Sequence, residues 1–114
     1  MSAFVMNVTF DCAEPRRLAA FWAAATGYAE VEATDERVRL AAPDHRGPRS
    51  LLFNRVPEAK AGKNRVHVDL ASRRPGLEVR RLVALGARSH GRHRRHGVAW
   101  TVMTDPEGNE FCVG

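Results

Sequence analysis

The chain has 114 residues, 44% hydrophobic and 27% charged, which supports one domain with its own core and excludes a disordered tail. No apolar run approaches the roughly 20 residues that span a bilayer, and the start, Met1-Ser2-Ala3-Phe4-Val5, lacks the pattern of an export signal, so Cys12 and Cys112 read as reduced thiols of a cytoplasmic protein. The net charge of +5 is lopsided: residues 1–57 hold seven arginines against seven acids, and residues 58–114 hold eleven Lys and Arg against six acids.

Along the chain, Phe4, Met6, Val8 and Phe10 alternate with Val5, Asn7, Thr9 and Asp11, the period of a strand with one apolar face. Asp11, Glu14 and Pro15 predict a helix start by a capping box. Leu18, Phe21, Trp22 and Ala25 continue at helical spacing, and Gly27 stops the helix. Short strands are predicted over 28–33, 37–41 and 50–56, with turn chemistry at 34–36 and 43–48. The polar stretch 57–64 reads as a connector. The second half then repeats the plan. Val66, Val68 and Leu70 alternate with Arg65, His67 and Asp69, predicting a strand from Arg65. Ser72 is placed to cap a helix with Pro75 in its first turn, Leu77, Val79, Leu82, Val83 and Leu85 on its apolar side, and Gly86 as terminator. A short strand at 87–89 leads into a basic loop, Arg88–Gly97. A strand at 98–104, the turn Asp105-Pro106-Glu107-Gly108 and a last strand at 110–113 close the chain.

Asn7 stands 20 residues before Gly27, and His67 stands 19 before Gly86. This spacing reads as a duplication of two βαβββ modules, about 1–57 and 58–114, too short to bury a sheet well alone. The predicted class is α+β: a single domain over 1–114 whose modules form a curved mixed sheet around a cleft.

Four segments give this pattern a family likeness: Phe21-Trp22 with Gly27, Lys63-Asn64-Arg65-Val66-His67-Val68-Asp69-Leu70, Leu82-Val83-Ala84-Leu85-Gly86-Ala87, and Asp105-Pro106-Glu107-Gly108-Asn109-Glu110-Phe111. In order and together they resemble the vicinal oxygen chelate superfamily, in its glyoxalase-like, bleomycin-resistance-like small-domain branch. The last segment is the most specific. The resemblance implies the fold but not the function, because that superfamily hosts isomerases, dioxygenases, epimerases, thiol transferases and non-catalytic drug-binding proteins. Its metal enzymes place one ligand on each of four strands. Carried over by motif, those positions are Asn7, Asn54 (Phe53 if the register slips by one), His67 and Cys112. Asparagine is a weak neutral ligand, and two of them bring no charge to offset a divalent ion. No cofactor is therefore expected. Both glutamates that the resemblance implies for lactoylglutathione chemistry are missing.

His67 reads either as a strand histidine hydrogen-bonded to Asp69 or Asn7, or as a ligand contact or general base oriented by a carboxylate. Asp69 and Arg65, two positions to either side, complete a polar trio. Trp22 reads as core. Trp100 reads equally as packing or as an aromatic wall for a flat ligand, with Leu52 beside it in the wall. Cys112 reads as an inert thiol. His90, His93 and His96, three apart, read as part of a solvated Arg/His loop, without the interleaved aromatics of a base-stacking surface.

The sequence thus predicts a bacterial homodimer that binds a small molecule in the cleft through Asn7, Leu52, Asn54, Arg65, His67, Asp69, Trp100 and Cys112, without a tightly bound metal. If it is an enzyme, the best catalytic candidate is His67 with Asp69. The rivals are a metal-dependent lyase or dioxygenase with an atypical ligand set, and a nucleic-acid or partner-binding module using the Arg88–Arg95 basic loop. Nucleic acid is disfavoured, and no membrane is expected.

Overall fold

The computed structural model describes residues 2–44 and 47–114. They form two compact units, Met1–Ala59 and Lys60–Gly114. The first contains β1 (Asn7–Cys12), α1 (Pro15–Thr26), β2 (Ala29–Ala33), β3 (Arg37–Ala41) and β4 (Ser50–Arg55). The second contains β5 (Val68–Leu70), α2 (Pro75–Leu85), β6 (Arg88–Arg95), β7 (Val98–Thr104) and β8 (Glu110–Val113). The strand orders are β1-β4-β3-β2 and β5-β8-β7-β6. In each sheet one parallel pair, β1 with β4 or β5 with β8, sits beside antiparallel pairs. The class is α+β, with two mixed four-stranded sheets, each accompanied by one helix. No helix among the described residues is long and apolar enough to cross a membrane.

Both helices begin at proline and end at glycine, as their sequences predict. Gly27 and Gly86 hold φ of 81° and 119°, and the Gly27 N–H donates to the Ala23 carbonyl at 2.8 Å. The expected side-chain caps are absent. Asp11 lies inside β1, which leaves Glu14 as the N-cap of α1, and Arg74 takes that place on α2. Proline at the first helical position removes one of the N–H groups a cap would have satisfied. Ser72 Oγ instead accepts from the Arg74 N–H at 3.1 Å.

The first unit buries Leu18, Ala19, Phe21 and Trp22 of α1 together with Val38, Leu40, Leu51 and Phe53 of its sheet. Phe10 stacks on Phe53 with centroids 4.9 Å apart and lies 5.1 Å from Trp22. Each such large side chain contributes on the order of 2–3 kcal/mol when fully buried. Trp22, 1% exposed, is core as expected. The second unit is thinner: Leu82 is the buried residue of α2, and it joins Ala87, Met103, Phe111 and Val113.

The basic segment is not a loop. Arg88–Arg95 is one exposed eight-residue strand paired antiparallel with β7. Its run of Arg and His has no apolar alternation, so periodicity does not reveal it. What builds it is the two-residue turn His96-Gly97, where φ is 52° and 76°. Both values are positive, as the tight hairpin turn that matches strand twist requires. The strand predicted from Arg65 begins only at Val68, and Val66 is 85% exposed. Val68 already pairs with Phe111, the second residue of β8, so Arg65 and Val66 have no strand opposite them.

Candidate ligand-binding site

Register decides which side chains share a face. In the second sheet Phe111, Val113 and Met103 lie on the buried face, so alternation puts Cys112, Val102, Trp100 and Asp69 on the other. Asp69 is level with Cys112, which is level with Val102. One step along, Trp100 is level with His93, and their rings lie 5.9 Å apart at 20°. His67, just before β5, turns its Nδ1 to Asp69 Oδ1 at 3.3 Å. The donor atoms of His67, Asp69 and Cys112 all lie within 4.8 Å of one another. An exposed pair such as His67–Asp69 stabilises a fold by ~0–1 kcal/mol, so its value is orientation of the imidazole.

Burial and the nearby Asp69 carboxylate push the Cys112 thiol up, against a smaller opposing pull from Lys63. The thiol is therefore neutral at pH 7. Neither cysteine is in a disulfide among the described residues. Glu110, at the start of β8, accepts the Asn64 N–H at 2.8 Å and the Lys60 ammonium at 3.0 Å. The Asn64 N–H, together with Lys60, holds its carboxyl below the usual range, against the opposing effect of burial. These contacts tie the segment before β5 to β8.

The first unit arranges its candidates differently. Asn7 is level with Ser50, Leu52 with Thr9 and Arg39, and Asn54 with Asp11 and Arg37. Asn7 and Asn54 share a face but lie four residues apart along it, ~13 Å at about 3.3 Å per residue. Continuing the β5–β8 register puts His67 level with Glu110, two residues before Cys112. The corresponding residue for Asn7, two beyond Ser50, is Leu52, which makes Leu52 the register counterpart of Cys112. The sequence gives Asn54, or Phe53 if the register slips by one, and period-2 alternation does not separate Asn54 from Leu52 on the same face. Arg65 is exposed and lies outside any strand. A shallow cavity of about 430 Å³, lined by Ala13, Glu36, Arg55, Val56 and Pro57, contains none of the candidate residues.

The donors suit some metals better than others. An imidazole, a carboxylate and a thiolate fit a borderline ion such as zinc, with one position open, and do not fit the all-oxygen preference of magnesium or calcium. All three donors belong to the second unit. His93 joins the Trp100 face from a segment that the sequence pattern predicts as a loop. For His93 the missed signal was the His96-Gly97 turn, which sets the hairpin pairing.

A family model described as a glyoxalase-like domain matches residues 7–114. The chain belongs to the glyoxalase-like family. Among curated proteins a sequence comparison finds no match. Solved glyoxalase-like structures share the fold at low identity. A glyoxalase/bleomycin resistance protein/dioxygenase family enzyme from Burkholderia phytofirmans PsJN has a TM-score of 0.81 at 18% identity, covering 97% of both chains. The lactoylglutathione lyase of Agrobacterium tumefaciens scores 0.71 at 17% identity over 100% of this chain and 94% of its own. A variant of the fosfomycin resistance protein FosX from Listeria monocytogenes, complexed with Mn(II) and 1S,2S-dihydroxypropylphosphonic acid, scores 0.78 at 11% identity over 99% and 89%. These likenesses are of fold.

Proposed function

We propose that this glyoxalase-like protein binds a small molecule on the face of its second sheet that carries Trp100 and Cys112, and works without a resident metal ion. The observation that supports this reading is the common face of the polar trio His67, Asp69 and Cys112 and the wall of Val102 and Trp100. A few convergent polar groups beside an apolar wall is the usual composition of a small-molecule site. With Nδ1 directed to Asp69, a neutral His67 presents Nε2 as an acceptor, able to hold a ligand hydroxyl or take its proton. Cys112 contributes a neutral thiol to the wall. Asn7, Leu52 and Asn54 belong to the first unit's sheet. We further propose a cytoplasmic homodimer, which sedimentation would overturn by showing only a 12.6 kDa species at micromolar concentration.

A second reading is favoured by the 4.8 Å clustering of the three donors. His67, Asp69 and Cys112 would hold a zinc-type ion, which when bound polarises a ligand oxygen. Elemental analysis of purified protein separates the two readings. The expected result is no stoichiometric divalent ion. A stoichiometric ion that is lost in His67→Ala would establish the second reading instead. A fragment screen by NMR tests the site itself: binders should shift the resonances of His67, Asp69 and Trp100, and their absence would overturn the binding reading.

A further inference from the structure

We propose that the ligand is a planar anion, its ring set against Trp100 and its negative group at the Arg95 end of β6; this rests on the small-molecule reading above and names the class of molecule bound. Cross-strand pairing puts His93 opposite Trp100 and Arg95 opposite Val98. Residues two apart share a face, so Arg95 lies on the same face as the His93–Trp100 stack and diagonal to the indole, within reach of a long side chain. His93 lies on the β6 side of the indole. On the β8 side, continuing the pairing of Thr101 with Val113 brings Trp100 level with Gly114. A Cβ placed on Gly114 would meet just the Ala99 carbonyl oxygen at 3.5 Å and Trp100 Cβ at 4.0 Å. The indole is thus stacked on one side and borders side-chain-free backbone on the other. A flat ring is the shape that suits an indole with no side chain level with it on that side, and Val102 and Cys112 lie in the next row.

Charge sets the ligand's sign and orientation. β6 carries Arg88, Arg92, Arg94 and Arg95 and no acid, and among the described residues none of these four forms an ion pair. The acids of this unit's sheet stand at the far side, with Asp69 paired to His67 and Glu110 held by Lys60. The four arginines attract an anion to the β6 edge, where a guanidinium can grip a carboxylate through two N–H groups. A nucleic-acid surface fits less well. Arg92 and Arg94 pair with Thr101 and Ala99 and so lie on the opposite face from Arg95, which divides the cations instead of lining them up.

The test titrates the full chain, followed by NMR, with 2-naphthoate, the cationic 2-naphthylmethylammonium, the non-planar cyclohexanecarboxylate and a single-stranded oligonucleotide. Naphthoate should bind about tenfold or more tighter than either small analogue, weaken with salt, and shift the Trp100 indole and His93 ring signals. Arg95→Gln should remove that preference for the anion, and Trp100→Leu should remove binding of both naphthyl compounds. Arg95 is exposed, so its substitution leaves the fold intact, which the amide spectrum verifies. Equal binding of the anion and the cation at Trp100 overturns the ligand class and leaves the small-molecule reading standing. Naphthoate binding that bypasses Trp100, no naphthoate binding at all, or tight oligonucleotide binding with no Trp100 shift also overturns it. Failure of every fragment to shift His67, Asp69 and Trp100 overturns the reading beneath it.

Discussion

Asp105→Ala should be among the more damaging single substitutions in this protein. Asp105 is 3% exposed. Its Oδ1 accepts the N–H groups of Glu107 at 2.9 Å and Asn109 at 3.0 Å, and its Oδ2 accepts the Asn109 side-chain amide at 2.9 Å. The same turn closes through two backbone bonds, Asp105 N–H to the Asn109 carbonyl and Gly108 N–H to the Asp105 carbonyl, each 2.9 Å. One carboxylate therefore organises the turn that aims β8, and with it Cys112, along β5. A hydrogen bond to a charged group is worth ~1.5–3 kcal/mol, but bonds sharing one acceptor do not add, so the loss should be about 2–4 kcal/mol. For a chain of this length 1 kcal/mol shifts Tm by roughly 4 °C, which gives a fall of ~8–16 °C by calorimetry. Asp105→Asn should fall between, because it keeps one acceptor but sets an NH₂ against the Asn109 amide. A Tm within about 3 °C of the parent for Asp105→Ala would refute the reasoning and mean that the backbone bonds alone hold the turn.

The remaining expectations concern titration and the core. Glu110 has a lowered folded pKa, so its contribution is present above the unfolded carboxyl value and disappears as pH falls through the folded one. Glu110→Gln should thus be less stable than the parent by urea unfolding at pH 7, and the two curves should converge below about pH 4; a constant gap would refute this. Asp69 raises the Cys112 thiol, so Asp69→Asn should speed alkylation of Cys112 at pH 8, and an unchanged rate would mean that burial alone acts. Leu82→Ala removes the buried anchor of α2, 0% exposed, and should cost about 2–5 kcal/mol in chemical denaturation; a loss under about 1 kcal/mol would show that the helix does not depend on it.

Much of this fold is legible one residue at a time. Pro15, Gly27, Pro75 and Gly86 mark both helices because ring closure and positive φ act locally. The alternation around Phe10 marks the inner face of β1 because side-chain direction along a strand is also local, whereas over β7 it marks Val98, Trp100 and Val102, the face opposite the buried Met103. The site is less legible because it depends on pairing. Asp69 meets Cys112 only through the parallel β5–β8 register, across 43 residues of chain, and His93 meets Trp100 only through a hairpin with an irregularity between Ser89 and Arg92. Likewise nothing local separates Leu52 from Asn54; the β1–β4 register does. An all-polar strand such as β6 stays hidden, since hydrophobic periodicity is silent where neither side of a strand is apolar.

The two helices are anchored very unequally. α1 sinks Leu18, Ala19, Phe21 and Trp22, whereas α2 sinks Leu82 and leaves Leu77, Val83 and Leu85 at 48%, 45% and 38% exposure. Resistance to amide hydrogen exchange should follow that difference. Backbone amides of α2 should trade for deuterium through local openings, while those of α1 should wait for unfolding of the whole first unit. Equal protection of the two helices would contradict this. The candidate binding surface would then lie on the more mobile half of the chain, and an occupant would report its arrival as slower exchange in α2, a helix on the far side of the sheet that it touches.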